Sequence, residues 1–311
     1  MKKLSFIIPC YNEEKNILLM YDAVRKVIND IKKYNYEFIF VDNASTDNTL
    51  QILKNLAQKD KFVKIIANYR NFGVERSVMN AFLSASGDAI IEMACDMQDP
   101  PDLIPIFLKH WENGTKVVWG QRTDSDERFF MKKARDLYYK VIKKFSYIKQ
   151  YEKVTGWGLY DRSVINKFRN LNDPMPILRN IIPDFGYDVV LVPYHQPIRL
   201  QGKSSYSLFS YFDLALSSLV HTSKVPLKCC IYLGIICSVI DLSVAIIYLI
   251  YKLLYWNTFE VGLAPLIIGC FFFFSVQILF FGLLSEYVLS ILDFVNFRQY
   301  VVEKERINFE D

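Results

Sequence analysis

The sequence predicts an α/β domain with a mostly parallel sheet, joined to a hydrophobic C-terminal part. Up to Gly120, short apolar runs alternate with helical patterns, which is typical of parallel strands connected by helices. Loops rich in Asp, Asn and Ser follow several of these runs. Hydrophobic residues make up 52% of the chain, and their excess lies after about Leu227. These observations divide the chain into a globular part and an apolar part.

The predicted strands of the globular part are short and bounded by polar residues. Between the first two, Tyr21, Val24 and Ile28 recur at helical spacing, which predicts a helix. The predicted strands are 4–9, 36–42, 63–67, 88–93 and 115–120, and the first predicted helix is 14–34. In an open parallel sheet, ligands bind beyond the carboxyl ends of the strands. We therefore expect the functional residues in the polar loops that follow the strands.

Two long apolar segments, 229–251 and 261–285, predict membrane-spanning helices. The first contains a single charge, Asp241, and the second contains none. Each exceeds the ~20 residues that a helix needs to cross a bilayer core of ~30 Å. Basic residues flank the pair, whereas the link between the segments has few. We therefore expect a transmembrane hairpin in a multi-pass protein of the cell inner (cytoplasmic) membrane, with the globular domain and both termini in the cytoplasm. Helices in the core of a soluble protein are the alternative interpretation.

The domain boundaries follow from these patterns. They are a globular domain at 1–205, an amphipathic helix in the membrane interface at 206–226, the hairpin region at 227–290 and a cytoplasmic tail at 291–311. A helix packed on the globular domain is the alternative for 206–226. The stretch 132–153 is rich in Lys and Tyr and predicts contact with anionic lipid or a solvated helix face. Nucleic acid is the third interpretation of this stretch, but it is not expected as a partner: the net charge of +4 does not by itself imply it, and the predicted membrane hairpin favours lipid.

Three polar loops, 9–14, 41–47 and 94–101, follow predicted strands. Turns favour Asp, Asn and Ser in any protein, so one such loop alone is weak evidence of function. Together they predict a nucleotide site, because carboxylates can bind the base and ribose and can also hold Mg²⁺ or Mn²⁺. Asp96 with the amide oxygen of Gln98 is the predicted metal site.

Motifs along nearly the whole chain resemble those of one family. They are residues 7–14 (IIPCYNEE), 40–47 (FVDNASTD), 70–73 (RNFG), 96–101 (DMQDPP), 120–122 (GQR), 159–162 (LYDR), 192–194 (VPY), 199–204 (RLQGKS) and 225–227 (VPL). On these motifs, the chain resembles the polyprenyl-phosphate glycosyltransferases of glycosyltransferase family 2. That group includes dolichyl-phosphate mannose synthase and undecaprenyl-phosphate sugar transferases.

The resemblance implies a GT-A fold, a nucleoside-diphosphate sugar as donor, a divalent cation (Mg²⁺ or Mn²⁺) and a polyprenyl phosphate of the undecaprenyl type as acceptor. UDP is the first choice of nucleotide, and the product would serve the synthesis or modification of a cell-surface glycan. The resemblance also implies roles for particular residues. The nucleotide site would include Pro9, Tyr11, Glu13, Asp42 and Asp96; the metal would contact Asp96 and Gln98; catalysis would involve Asp96, Arg122, Arg199 and Lys203, with Arg135 as a further phosphate contact.

The chain departs from the usual pattern of that family at four positions. They are Asn43, Ala94, Gly156 and Ser205, of which the first three replace acids and the last replaces a lysine. A phosphate monoester is largely ionised at neutral pH and needs no strong general base. We therefore expect one-step displacement with inversion at the anomeric carbon. A transferase acting on a sugar hydroxyl, and a degenerate member that binds nucleotide sugar as a scaffold, are the alternatives. A homo-oligomer is a further expectation.

Overall fold

The computed structural model describes residues 1–123, 149, 151–169, 171, 176–197, 232–236, 239–240, 243, 246–247, 250–251, 253–255, 263–295 and 301–309. The chain divides into two compact units. The first comprises Met1–Tyr139, Ile148–Tyr206 and Phe297–Asp311, and the second comprises Lys140–Tyr147 and Ser207–Asn296. The predicted interfacial helix at 206–226 lies outside the described residues.

A mixed sheet forms the centre of the first unit. Its described strands are β1 (Lys3–Cys10), β2 (Asn35–Asp42), β3 (Val63–Asn68), β4 (Ala89–Glu92), β5 (Val117–Arg122), β6 (Val154–Asp161), β7 (Val189–Tyr194) and β8 (Glu303–Ile307). Their order across the sheet is β7-β5-β6-β4-β1-β2-β3-β8. Strands β4, β1, β2 and β3 are parallel to one another, as β5 is to β7. Because β6 is antiparallel to both β4 and β5, these two point the same way. The predicted α/β architecture with a mostly parallel sheet is confirmed.

Helices cover both faces of this sheet. They are α1 (Ile17–Ile31), α2 (Thr49–Lys59), α3 (Val74–Ser84), α4 (Ile104–Glu112), α5 (Arg162–Phe168) and α6 (Leu178–Asp184), with a 3₁₀ turn at Pro101–Leu103. Successive side chains of a strand point to opposite faces. In β2, Phe38 and Phe40 therefore pack in the core under α1, α2 and α4, whereas Ile39 and Val41 pack in the core under α3, α5 and α6. All four are fully buried, so β2 is held from both sides.

The C-terminal segment contains a strand that the sequence analysis did not predict. Glu303–Ile307 pairs antiparallel with β3 and forms the outer edge of the sheet. Its sequence, Glu-Lys-Glu-Arg-Ile, has half-buried and exposed side chains in alternation. The residues predicted as a tail thus include a structural element of the first unit.

In the second unit, the principal described element is α7 (Leu263–Val295). A helix crosses a bilayer only when about 20 consecutive residues are predominantly apolar. Among the described residues, no helix was found that combines the length and the apolar character needed for a membrane span. The predicted multi-pass placement in the inner membrane is therefore corrected, and the predicted hairpin is not supported. Much of the first predicted span, including Asp241, lies outside the described residues.

Candidate active site

The described residues of the predicted site lie along the edge of the sheet that is formed by the carboxyl ends of its parallel strands. Strands β1, β2 and β4 end there at Cys10, Asp42 and Glu92, and β5 ends there at Arg122. Parallel strands present their carboxyl ends on the same side, so the three polar loops are brought together. Pro9 and Cys10 pair with Val41 and Asp42 in the same register. The predicted residues that the structure places at this edge are Pro9, Tyr11, Glu13, Asp42, Asp96, Gln98 and Arg122.

The first two loops are joined to each other by hydrogen bonds. The backbone N–H of Asn12 donates to Ser45 Oγ at 3.0 Å, and the N–H of Thr46 donates to Asn12 Oδ1 at 2.8 Å. The N–H of Glu13 donates to Thr49 Oγ1 at 2.8 Å. Because each loop satisfies polar groups of the other, this part of the site is preformed.

Exposure differs sharply between two predicted nucleotide contacts in these loops. Tyr11 is 42% exposed, whereas Asp42 is 1% exposed. Burial raises the pKa of the Asp42 carboxyl group, and hydrogen bonds from Ser45 oppose that shift only in part. A ring that is open to solvent beside a buried carboxylate suits a ligand with a flat base and hydrogen-bond donors.

In the third loop, two carboxylates accept hydrogen bonds from backbone N–H groups of the same loop. Asp99 Oδ2 accepts a hydrogen bond from the N–H of Ala94 at 2.8 Å, and Asp96 Oδ1 accepts one from the N–H of Gln98 at 3.2 Å. Met97, between the latter two, has a left-handed φ of 64°. Asp99 is buried, and burial raises its pKa to about 6. Asp96 and Gln98 are half-buried, so part of each residue is accessible to solvent.

Arg122 is connected to this loop through Tyr194. The two residues are register partners at the ends of β5 and β7. Arg122 Nε donates to the Tyr194 hydroxyl at 3.4 Å, and that hydroxyl lies 3.4 Å from Asp99 Oδ1. The ring of Trp157 packs edge-on against Tyr194 at 4.6 Å. The guanidinium group therefore stands beside the loop that carries Asp96 and Gln98.

The loop offers oxygen ligands for a cation but no complete cage. Among the described residues, no group of three or more His, Cys, Asp or Glu side chains could hold a metal ion. Asp96 and Gln98 supply one carboxylate and one amide oxygen. Mg²⁺ is commonly bound by one or two carboxylates together with substrate phosphates and water. The residues present fit a divalent cation that is shared with a diphosphate.

A buried amide network supports the second loop, and it was not predicted. Asn43 Oδ1 accepts hydrogen bonds from Asn68 Nδ2, Ser77 Oγ and the N–H of Phe72 at 3.0–3.1 Å. Asn43 Nδ2 donates to Asn71 Oδ1 at 2.9 Å. The last bond needs an amide at position 43, because a carboxylate has no proton to give. The replacement of an acid by Asn43 thus accompanies a specific partner in the 70–73 motif.

The structure also explains why position 156 is a glycine. Its φ of +105° lies in the region that glycine adopts most readily. A Cβ atom at this position would lie 3.8 Å from Glu92 Oε2. Burial raises the pKa of Glu92 well above its usual value, and nearby Asp99 and Glu75 add to the effect. An acid at position 156 would therefore bring a further carboxylate close to Glu92, which already interacts with the carboxylates of Asp99 and Glu75.

Several predicted residues are not placed by the structure. The phosphate contacts Arg135, Arg199 and Lys203 lie outside the described residues, as does Ser205. Conversely, the structure adds Asp99 and Tyr194 to the site. Both stand in sequence motifs, 96–101 and 192–194, but only the fold reveals that they lie together.

Known proteins match this chain over most of its length. The profile of the family described as Glycosyl transferase family 2 matches residues 5–169. The uncharacterized glycosyltransferase YkcC of Bacillus subtilis (strain 168) is 31% identical over 302 residues, which cover 96% of this chain and 93% of that protein. The bactoprenol glucosyl transferase of Shigella phage SfV is 29% identical over 306 residues, covering 98% of this chain and 99% of the relative.

A solved structure has the same fold at low sequence identity. Glucosyl-3-phosphoglycerate synthase from Mycobacterium tuberculosis, in complex with Mn²⁺, UDP and phosphoglyceric acid, is 14% identical with a TM-score of 0.50. The match covers 70% of this chain and 76% of that chain, and it supports the GT-A fold alone. The family profile and the relatives show that the chain belongs to glycosyl transferase family 2.

Proposed function

We propose that this protein transfers a sugar from a nucleoside-diphosphate sugar to a polyprenyl phosphate, for the synthesis or modification of a cell-surface glycan. The observation that carries the proposal is the convergence of Asp42, Asp96, Gln98 and Arg122 at one edge of the sheet. The relatives named as bactoprenol glucosyl transferases, which align along nearly the whole chain, support a lipid-phosphate acceptor and suggest glucose as the first sugar to test.

The donor would lie across the first two loops. Asp42 and Glu13 would bind the base and ribose, with Pro9 and Tyr11 lining the same part of the site. The diphosphate would reach toward the third loop, where Asp96 and Gln98 would hold a Mg²⁺ or Mn²⁺ ion. When bound, such an ion supplies positive charge to the departing diphosphate.

The reaction would be a single displacement. An oxygen of the acceptor phosphate forms a bond to the anomeric carbon, while the bond from that carbon to the diphosphate oxygen breaks. The nucleoside diphosphate leaves with the bonding electrons, and the configuration inverts. Arg122 would stabilise the negative charge that develops on the leaving group, and Arg199 and Lys203 stay predicted contacts to the phosphates.

The chemistry of the acceptor explains why few acids are needed. A phosphate monoester has its second pKa near ~6 and is largely dianionic at pH 7. Such a nucleophile is already ionised, so the site has to supply alignment and positive charge rather than a strong base. The replacement of acids at Asn43, Ala94 and Gly156 is compatible with that demand.

A donor screen tests the proposal. The purified full chain is incubated with UDP-glucose or another nucleotide sugar, with Mg²⁺ or Mn²⁺, and with undecaprenyl phosphate or its dephosphorylated alcohol as matched acceptors. Mass spectrometry should detect a lipid-linked sugar only with the phosphate. Asp96→Asn should lose nearly all of the product. Asp102→Asn is the matched control and should retain it, because Asp102 is exposed in the 3₁₀ turn that follows the third loop.

Two results would reject the proposal. Sugar transfer to the alcohol but not to the phosphate would indicate a transferase that acts on hydroxyl groups. Donor binding without turnover for every nucleotide sugar would indicate a scaffold.

A further inference from the structure

The C-terminal strand places a lysine close to the predicted nucleotide site. β8 pairs antiparallel with β3, so that Glu305 is the register partner of Ala67. Ala67 is in turn the partner of Asp42 across the β2–β3 pair. Neighbouring strands are about 4.8 Å apart, so the backbone of β8 passes about 10 Å from Asp42. The ladder shifts register here, because Asn68 pairs with Glu303 and Lys304 is left without a register partner. The regular alternation of faces does not apply at such a bulge, and the long side chain of Lys304 can span much of the distance to Asp42.

Several contacts hold this strand in place. Asn308 Nδ2 donates to the carbonyl oxygens of Ala57 and Val63, at 2.8 Å in each case. The carbonyl oxygen of Val302 accepts a hydrogen bond from the N–H of Tyr69 at 3.0 Å. These bonds fix both ends of β8 and hence the position of Lys304 along the sheet edge.

The acids on either side of Lys304 are occupied by other cations. Glu305 forms an ion pair with Lys54 of α2 at 2.6 Å. Glu303 pairs with Arg306 and accepts a hydrogen bond from Asn80 Nδ2 at 2.5 Å. Lys304 itself is exposed. Among the described residues, the charge that Lys304 is seen to act on is Asp42, at the end of β2.

The charges at the end of β2 are negative. Asp42 is almost fully buried, and burial raises its pKa. Hydrogen bonds from Ser45 lower this pKa in part, nearby Asp47 raises it, and Lys304 adds a smaller lowering effect. The neighbouring strand ends at Cys10, and Glu13 follows it in the first loop. A hydrogen bond with Cys95 and burial raise the pKa of the Cys10 thiol, and the charges of Asp42 and Glu13 add to this effect. A nucleoside diphosphate would bring more negative charge to this group. A nearby cation would reduce the resulting repulsion.

We propose that Lys304 belongs to the donor site, where its ammonium group balances the charge of Asp42 so that this carboxylate can accept hydrogen bonds from a bound nucleotide. This inference rests on the proposed function, because it takes Asp42 as a nucleotide contact. It assigns Lys304 as a positioning residue that acts through Asp42. It also gives the C-terminal strand a role in donor binding, although the strand follows the matched family region by more than a hundred residues along the chain.

The experiment measures UDP binding to the full chain by isothermal titration calorimetry at pH 7 and pH 5.5. Lys304→Met removes the charge and keeps the length of the side chain, and Lys304→Arg keeps the charge. Lys59→Met is the matched control, since Lys59 is an exposed lysine in the last turn of α2. Thermal unfolding of each variant checks that β8 remains docked.

Lys304→Met should weaken UDP binding about fivefold at pH 7, the size of a solvent-exposed charge interaction. The loss should grow at pH 5.5, because without the lysine Asp42 takes up a proton at a higher pH. Lys304→Arg should bind UDP like the wild type, and Lys59→Met should also do so. In activity assays with UDP-glucose, the KM of Lys304→Met should rise while its kcat stays like that of the wild type.

Unchanged UDP affinity of Lys304→Met at both pH values would overturn the inference, and so would an equal loss in Lys59→Met. A wild-type chain that forms lipid-linked sugar while Lys304→Met keeps its KM rejects only the role of Lys304. A wild-type chain that binds no UDP and forms no product rejects the proposed function itself. A lower unfolding temperature for Lys304→Met but not for Lys304→Arg, without a change in UDP affinity, would assign the lysine a structural role instead.

Discussion

Replacing Glu37 by Gln should destabilise the first unit by about 3 kcal/mol at pH 7. Glu37 lies on β2 and is 1% exposed. Its Oε2 atom forms ion pairs with Lys3 at 2.8 Å and Lys64 at 2.9 Å. Its Oε1 atom accepts hydrogen bonds from Ser5 Oγ at 2.6 Å and from the N–H of Ser86 at 2.7 Å. The Glu37 carboxylate therefore connects β1, β2, β3 and the segment that contains Ser86. These contacts lie near the amino-terminal ends of the parallel strands, away from the site.

The magnitude follows from the pKa of Glu37. Burial alone would raise this pKa, but the hydrogen bonds from Lys3, Ser5, Ser86 and Lys64 lower it from 4.5 to about 2. Each tenfold change in proton affinity corresponds to about 1.4 kcal/mol. The ionised carboxylate therefore stabilises the folded state by about 3 kcal/mol above pH 4.5. This contribution is lost progressively as the pH falls from 4.5 through 2.

Urea unfolding followed by tryptophan fluorescence measures the effect. The difference between wild type and Glu37→Gln should be about 3 kcal/mol at pH 7 and should shrink toward pH 2.5. Glu112→Gln, which removes an exposed ion pair to Lys33, is the control and should cost less than about 1 kcal/mol. A deficit of Glu37→Gln that is the same at pH 7 and pH 2.5 would refute this reasoning.

Three further substitutions test the fold and the site. Gly158→Ala should destabilise the protein by about 2 kcal/mol or more in urea unfolding, because the new Cβ would overlap the carbonyl oxygen of Val118. If the variant were as stable as the wild type, β5 and β6 would have to move apart at little cost. Asn43→Asp should cost about 1–3 kcal/mol, since the carboxylate cannot donate to Asn71 Oδ1; an unchanged unfolding midpoint would mean that this bond is dispensable. Asp96→Asn should lower kcat about 100-fold with an unchanged unfolding midpoint, and full activity would remove Asp96 from the site.

The sequence predicted the sheet well where strands are buried on both faces. The first strand was predicted at 4–9 and is Lys3–Cys10, and the second was predicted at 36–42 and is Asn35–Asp42. Continuous apolar runs bounded by polar loops are a strong signal because both faces of the strand need apolar side chains. The same rule located the loops that carry Asp42 and Asp96.

The edge strand β8 could not be predicted in this way. Its residues are mostly charged, because an edge strand at the surface has little apolar area to bury. The side-chain partners of Asn43 and Tyr194 were likewise beyond the sequence, since they depend on residues that are distant along the chain. For β8 the sequence missed an element, whereas for the apolar C-terminal segments it predicted too much. Hydrophobicity alone predicted a membrane hairpin, which the described helices do not support.

The most direct test of the proposed reaction is the structure of its product. Undecaprenyl phosphate is incubated with the full chain and UDP-α-glucose, and the anomeric configuration of the lipid-linked sugar is determined by NMR. The proposal predicts a glucosyl phosphate lipid with the β configuration. A product with the α configuration would contradict the single displacement, and the absence of any sugar on the lipid phosphate would contradict the proposed function.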